Sequence, residues 1–386
     1  MLGGAVAVIN LWYLAKDAVL GRQIIYANGR FLTRQLSGVD RVAAEVLRAL
    51  AQREDAPEVR IIYPAEAKLV ADPFSDLPEP ARSRIVLVPF GRGNGHQWEQ
   101  FVLPRYPDAN RATDWLLSLC NTGPLGWPKQ LVAIHDAQVH DLPTGFSWQF
   151  RLAYRVLQPL LARRARKVVT VSTHAKARLE HHKVFPSGKA KVMTLGVDHI
   201  ARELPDQSVL ERHHLGAGEY LLAIGSAAPH KNLQLLARLA GVPNALSRPI
   251  VVAGGVNARV FAGLPAEVTA RLVMIGRVSD AELRALYENA HCFLFPSLNE
   301  GFGLPPLEAM FCGCPVIAST SSAIPEVLGD AAVLVDPTAL SAWQEAVTCM
   351  DDPRHHAEYV QRGLQHSAAF TWYQTAGQLL EILTKD

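Results

Sequence analysis

The sequence predicts an α/β chain built from two doubly wound domains with parallel sheets. Three observations lead there. At 386 residues the chain exceeds one ordinary core and suits two domains. Apolar runs of strand length alternate with amphipathic helical stretches. That alternation begins twice, at 23–28 and again at 220–225, each time as strand, glycine-bearing loop and helix. Composition agrees, because 49% hydrophobic against 19% charged residues describes a compact chain and excludes extended disorder. A net charge of +2 supplies no overall drive toward nucleic acid, and no such partner is expected.

Residues 1–20 are read as an N-terminal extension. The first 15 are uncharged and apolar, too short to span a bilayer, and no basic segment precedes them as in a signal peptide. They suit an extra strand or helix; an interfacial anchor through Leu11, Trp12, Tyr13 and Leu14 is the alternative. The first domain is placed at 21–200. Its opening strand, 23–28, leads through the Ser37-Gly38 loop into a helix with Val42, Val46, Leu47 and Leu50 on one face. Ser37 suits an N-cap, and the same loop suits a cleft-facing position at a strand's carboxyl end. Further strands are expected at 59–63, 84–88, 115–119 and 130–134. Residues 91–114 read as irregular, with Trp98, Phe101 and Tyr106 among polar neighbours. The strand ending at Ile134 delivers His135 and Asp136 to the edge where open α/β sheets hold ligands. Asp136 either orients the His135 ring or caps the next segment.

The stretch 147–164 predicts a long helix with Phe150, Ala153, Tyr154, Leu157, Leu160 and Leu161 on its apolar face. Arg163, Arg164, Arg166 and Lys167 follow. They suit the negative end of the helix dipole, or docking to anionic lipid head groups. Strands at 167–172 and 191–195 complete the domain, and the polar stretch 199–219 is the linker candidate.

The second domain is placed at 201–366, followed by a terminal helix at 367–386. Strands are expected at 220–225, 250–255 and 272–278. Lys231 lies on the loop after the first of these, where an ammonium can meet a phosphate as a point charge. Ser279 and Glu282 form a capping box for a helix ending at Asn289. The central stretch is 296–337. It follows an apolar strand, turns at Gly301-Phe302-Gly303, starts a helix near Pro305 and Pro306, and re-enters a strand at 315–318. Glycines let a backbone approach phosphate oxygens, and a helix N-terminus favours a diphosphate. A carboxylate accepts two hydrogen bonds from a vicinal diol such as ribose. The five cysteines (Cys120, Cys292, Cys312, Cys314, Cys349) are odd in number and lack a second pair at zinc spacing. They read as reduced thiols, which favours a cytoplasmic protein.

The run Glu300-Gly-Phe-Gly-Leu-Pro-Pro-Leu-Glu308, with Ala309-Met310 and Gly313-Cys314-Pro315-Val316, resembles the E-x7-E region of family 4 retaining glycosyltransferases. The segments 29–47 and Gly196-Val197-Asp198, and the Pro229-His-Lys-Asn232 sequence, resemble others of that family. His230 stands where Arg is commoner. The resemblance implies a GT-B fold, two Rossmann-like domains facing a central cleft. It implies transfer of a hexose, of mannose or glucose type, from a UDP- or GDP-sugar to a hydroxyl of a glycan or lipid-linked acceptor. His135 and Glu300 would position the donor sugar. Gly38, Lys231, Gly301, Phe302, Gly303 and Leu304 would bind the donor, with Glu308 on its ribose. Arg277 and Val278 would border the base. No cofactor is implied, and no metal, since the sequence contains no Asp-x-Asp. The resemblance also implies that the terminal helix crosses back onto the first domain with Trp372 buried. Peripheral contact with the inner face of a membrane fits such a pathway. A sugar-nucleotide epimerase of the same architecture and a catalytically silent glycan-binding homologue are the rival readings. A nicotinamide dehydrogenase is disfavoured because no GxGxxG follows any strand.

Overall fold

The structure, a computed structural model, describes residues 24–70, 72–226, 228–242, 246–255 and 271–385. The expected extension at 1–20 lies outside them. Two parallel sheets carry the chain. The first has β1 (Ile25–Asn28), β2 (Val59–Pro64), β3 (Ile85–Phe90), β4 (Leu116–Ser118), β5 (Gln130–Ala133), β6 (Lys167–Thr170) and β7 (Ala190–Val192), in spatial order β3-β2-β1-β4-β5-β6-β7. The second has β8 (Leu221–Ile224), β9 (Ile250–Ala253), β10 (Leu272–Gly276), β11 (Cys292–Phe295), β12 (Val316–Ser319) and β13 (Val333–Val335), in order β10-β9-β8-β11-β12-β13.

Central strands such as Ile250–Ala253 and Cys292–Phe295 are apolar and buried throughout, because helices cover both faces of a parallel sheet. In each sheet the order reverses beside the first strand, between β1 and β4 and between β8 and β11. Such switch points open a crevice at the carboxyl ends of the strands.

The helices used below are α1 (Gly38–Gln52), α2 (Trp148–Arg164), α3 (Asp280–Asn289), α4 (Leu304–Phe311) and α5 (Trp372–Thr384). Helix α1 starts from a capping box, in which Ser37 and Asp40 satisfy each other's backbone amides. Ser279 and Glu282 do the same for α3. The linker is less bare than its polarity suggests, since a 3-10 turn (Asp198–Arg202) and a short helix (Ser208–Arg212) form within it. The segment expected to be irregular also folds locally, with a π-helical turn at Trp98–Val102 that buries Trp98 and Glu99.

Helix α2 departs in part from its expected face, of which Tyr154 and Leu161 are buried as expected. Tyr154, Gln158, Leu161 and Ala162 point inward, whereas Ala153 and Leu160 are exposed. Apolar residues occupy both sides of this helix, so the periodicity alone could not select the buried one.

Helix α5 crosses onto the first domain and packs on α1. Trp372 is 2% exposed. Gly196-Val197-Asp198 clasps its start: Trp372 N–H donates to Asp198 Oδ1 at 2.7 Å, and Val197 N–H donates to the Phe370 carbonyl at 3.0 Å. A Cβ on Gly196 would lie 2.1 Å from Trp372 N, so no larger residue fits that crossing.

Candidate functional site between the two sheets

Loops after β5, β8 and β11 converge across the crevice. His135 follows β5, buried, its Nε2 2.7 Å from the Leu119 carbonyl. A carbonyl only accepts, so Nε2 carries the proton and Nδ1 is left as an acceptor. Burial is the main influence on this ring and pushes its pKa below the ordinary imidazole value, against the Leu119 bond, so the neutral form dominates at pH 7. Asp136 accepts from Gln138 N–H at 2.9 Å; of its two expected roles it takes the cap of the next segment. Burial, then the charges of Glu300 and Asp141, raise its pKa to about 6.

On the facing domain, Lys231 Nζ donates to Glu300 Oε1 at 2.6 Å, and Ser297 Oγ reaches the same oxygen at 2.6 Å. Gly301 then meets the first domain directly. A Cβ there would lie 2.5 Å from the His135 carbonyl oxygen, and Ser172 Oγ donates to the Gly301 carbonyl at 2.6 Å. Nearby, Glu326 caps the backbone amides of Thr173 and His174 at 2.6 and 2.8 Å across the same boundary. The structure thus brings His135, Lys231, Glu300 and Gly301 together.

Gly303 takes φ +112°, a conformation that favours glycine, and leads into α4. Pro305 and Pro306 remove two amide hydrogens from the first turn of that helix, so Gly303 and Leu304 carry those left without an intrahelical partner. The helix therefore offers fewer donors to an anion than a helix start usually does. Phe302 turns into the core against Phe370, their centroids 6.1 Å apart, and only its backbone faces the loop.

Glu308 lies one turn into α4 and is buried. Its Oε1 sits 3.1 Å from His199 Nε2, and its Oε2 accepts from Tyr287 at 3.3 Å. Trp372 Nε1–H donates to His199 Nδ1 at 3.1 Å, which fixes the other ring nitrogen as the donor to Glu308. Burial opposes the charge on Glu308, yet the His199 bond and the Arg41 charge hold its pKa below the ordinary carboxylate value. Arg41 itself grips Asp280 with two bonds of 2.8 and 2.6 Å, joining α1 to α3.

A cleft of about 400 Å³ lies alongside, lined by Gln35, Ser37, Gly254, Arg277 and Val278. It brings the Ser37 loop and the expected base border together across the domains, with Arg277 donating to Gln35 at 2.6 Å. A Cβ on Gly38 would meet nothing within 4 Å, so no neighbouring protein atom requires glycine there. A larger cavity of about 730 Å³, near Trp115, Lys129 and Lys385, lies at the amino ends of the strands, away from these groups. Among the described residues no cluster of three or more His, Cys, Asp or Glu is arranged to hold a metal ion.

Sequence reasoning did not single out His199, Tyr287 or Arg41. Their contacts with Glu308 and Asp280 join residues 109, 21 and 239 positions apart, distances that no local pattern spans. The one local signal was the placement of His199 directly after Gly196-Val197-Asp198.

Residues 212–384 match the family model of the glycosyl transferases group 1. The chain is 29% identical over 233 residues to the O-antigen chain mannosyltransferase B of Escherichia coli, a match covering 56% of this chain and 60% of that protein. It therefore spans less than two thirds of that curated relative's length. Among solved structures, sucrose-phosphate synthase from Thermosynechococcus elongatus superposes with a TM-score of 0.70 at 19% identity, covering 93% of this chain and 98% of that one. Anabaena HepE, in complex with UDP and glucose, gives 0.68 at 17%, covering 94% and 99%. The expected GT-B architecture is thereby established. With two sheets meeting at His135 and Gly301, the chain has a GT-B fold in which residues 212–384 match the glycosyl transferases group 1 model.

Proposed function

We propose that the protein is a retaining hexosyltransferase, moving mannose or glucose from a nucleotide diphosphate sugar to a hydroxyl of a glycan or lipid-linked saccharide. The observation that carries the reading is the meeting of Lys231 and Glu300 with His135 across the Gly301 contact. An E. coli relative is named as an O-antigen chain mannosyltransferase, and a structural neighbour is described with UDP and glucose. Both agree with a sugar-nucleotide donor in polysaccharide synthesis. Peripheral contact with the inner face of a membrane belongs to the same proposal.

In this mechanism the bond from the anomeric carbon to the phosphate oxygen breaks, and one to the acceptor oxygen forms on the same face. The acceptor proton passes to the departing phosphate, so no protein nucleophile is required. Lys231, with the amide hydrogens of Gly303 and Leu304, stabilises the charge growing on the diphosphate. Gly38 and its loop flank the phosphates. Glu300 and the unprotonated Nδ1 of His135 accept from sugar hydroxyls and orient the ring. Glu308 presents its remaining lone pairs to the ribose diol, while Arg277 and Val278 border the base.

Thermal-shift measurement with UDP- and GDP-sugars tests the donor, since a ligand bound only by the native state raises Tm. Proton NMR of the transfer product reads the anomeric configuration. An inverted product, or donor epimerised without any acceptor, would replace this reading. So would a Glu300→Gln variant that keeps its transfer rate.

A further inference from the structure

Helix α2 exposes an apolar stripe that nothing among the described residues covers. Trp148, Leu152, Val156 and Leu160 are 62%, 56%, 53% and 41% exposed. They recur every fourth residue, so they drift only about 40° per step around the helix and form one continuous band. Singly exposed apolar residues are ordinary; four in register on one helix are not.

The charge around the band is one-sided. No acidic residue occurs between Asp141 and Glu180, a span that carries eight Lys or Arg. Within the helix, Arg155 is exposed on one flank of the band, and Arg163 and Arg164 are exposed at its end. A water-soluble protein partner would have to supply apolar area and several acids together. An anionic lipid surface supplies both, with head groups for the arginines and acyl chains for the side chains between them. At 17 residues with four arginines, the helix is not one that crosses a membrane.

We propose that α2 docks the protein on an anionic lipid bilayer, lying in the interface with Trp148, Leu152, Val156 and Leu160 inserted. Its inner face ties that surface to the site. Gln158 on α2 donates to the Asn121 carbonyl at 3.3 Å, and the Asn121 side chain accepts from the His135 backbone at 2.8 Å. Docking through this face sets the first domain's side of the crevice beside the membrane, where a lipid-linked acceptor would stand. This consequence for the acceptor rests on the function proposed above; the docking itself does not.

The test is co-sedimentation of the full chain with phosphatidylcholine vesicles, with and without phosphatidylglycerol. The wild type is expected to bind the anionic vesicles and to be released by salt, because screening weakens the arginine contacts. The double variant Leu152→Glu, Val156→Glu should lose at least about tenfold in binding. Arg155→Glu with Arg163→Glu should lose roughly fivefold per charge removed. Circular dichroism checks that each variant folds, and its Tm rise with nucleotide sugar checks the crevice separately. Wild-type binding left unchanged by the stripe variants overturns the proposal, as does no vesicle binding at all. So does a concentration-dependent dimer that the same variants abolish, which would make the stripe a contact between two copies. A wild type that binds vesicles but gains no Tm from any nucleotide sugar would sink the proposed function and leave the docking surface standing.

Discussion

Two buried glutamates, Glu308 in the second domain and Glu99 in the first, show how differently one residue type is used on the two sides of the crevice. Burial pushes both upward in pKa, while hydrogen bonds and a nearby arginine charge hold both below the ordinary carboxylate value. Their surroundings differ in saturation. Glu308 has one neutral donor on each oxygen, His199 and Tyr287. Glu99 has Asn28 and Thr122 on Oε1 at 2.7 and 3.1 Å, and His96 and Arg30 beside Oε2 at 3.2 and 3.6 Å. A carboxylate offers about four lone-pair directions. Glu99 has two donors on Oε1 and the Arg30 guanidinium beside Oε2, and serves as a brace behind the first domain's wall. Glu308 has one donor on each oxygen and keeps about half of those directions free.

Breaking the brace should give the largest effect. Glu99→Ala strands Arg30 in the interior without its counter-charge, so unfolding free energy should fall by about 3–5 kcal/mol in urea titration. Glu308→Ala should cost clearly less; equal losses would dissolve the distinction. Next comes Lys231→Ala. Its loss should slow transfer by about 10²–10³-fold with a small change in Tm, because Ser297 still satisfies Glu300. Smaller again is Glu308→Gln. It should raise the donor KM about tenfold, as expected for hydrogen bonds to a charged group, and leave turnover nearly unchanged. Glu99→Gln should not change KM.

The smallest effect is a difference in pH dependence. Glu308 titrates below its unfolded value of about 4.3, so it favours the native state above that pH and loses the contribution as the medium becomes more acidic. Asp136 does the reverse. With its pKa raised to about 6, its stabilisation is complete below its unfolded value of about 3.9 and is lost as pH rises through 6. Asp136→Asn, which can still cap, should therefore raise Tm relative to wild type at pH 7 more than at pH 4. Glu308→Gln should lower it more at pH 7 than at pH 3.

The fold was legible because parallel strands are buried on both faces and read as unbroken apolar runs, as at Cys292–Phe295. His135, Lys231 and Glu300 were legible as candidates for a related reason, since each directly follows such a run. Glu99 was not. Its partners Asn28 and Thr122 are 71 and 23 residues away and come together only when β1 and β4 pair. The face of α2 was read correctly at Tyr154 and Leu161 and wrongly at Ala153 and Leu160, because its sequence is apolar on both sides and which side is buried depends on what packs against it. The proline pair after Gly303 was read as a helix start, which it is; that it halves the donors of the first turn follows from the same residues.

The clasp at Gly196 has a consequence for how the molecule is made. Helix α5 closes over α1, so part of the surface of the first domain is supplied by residues 372–384. During synthesis the first domain emerges long before them, and domains generally fold as they emerge. Until the final helix arrives, Gly196 has no backbone against it, α1 keeps an uncovered flank, and His199 lacks the indole that sets its tautomer. The first domain therefore emerges as a half-finished lobe that α5 completes, and the carboxylate of Glu308 reaches its final setting only when that helix folds back onto α1.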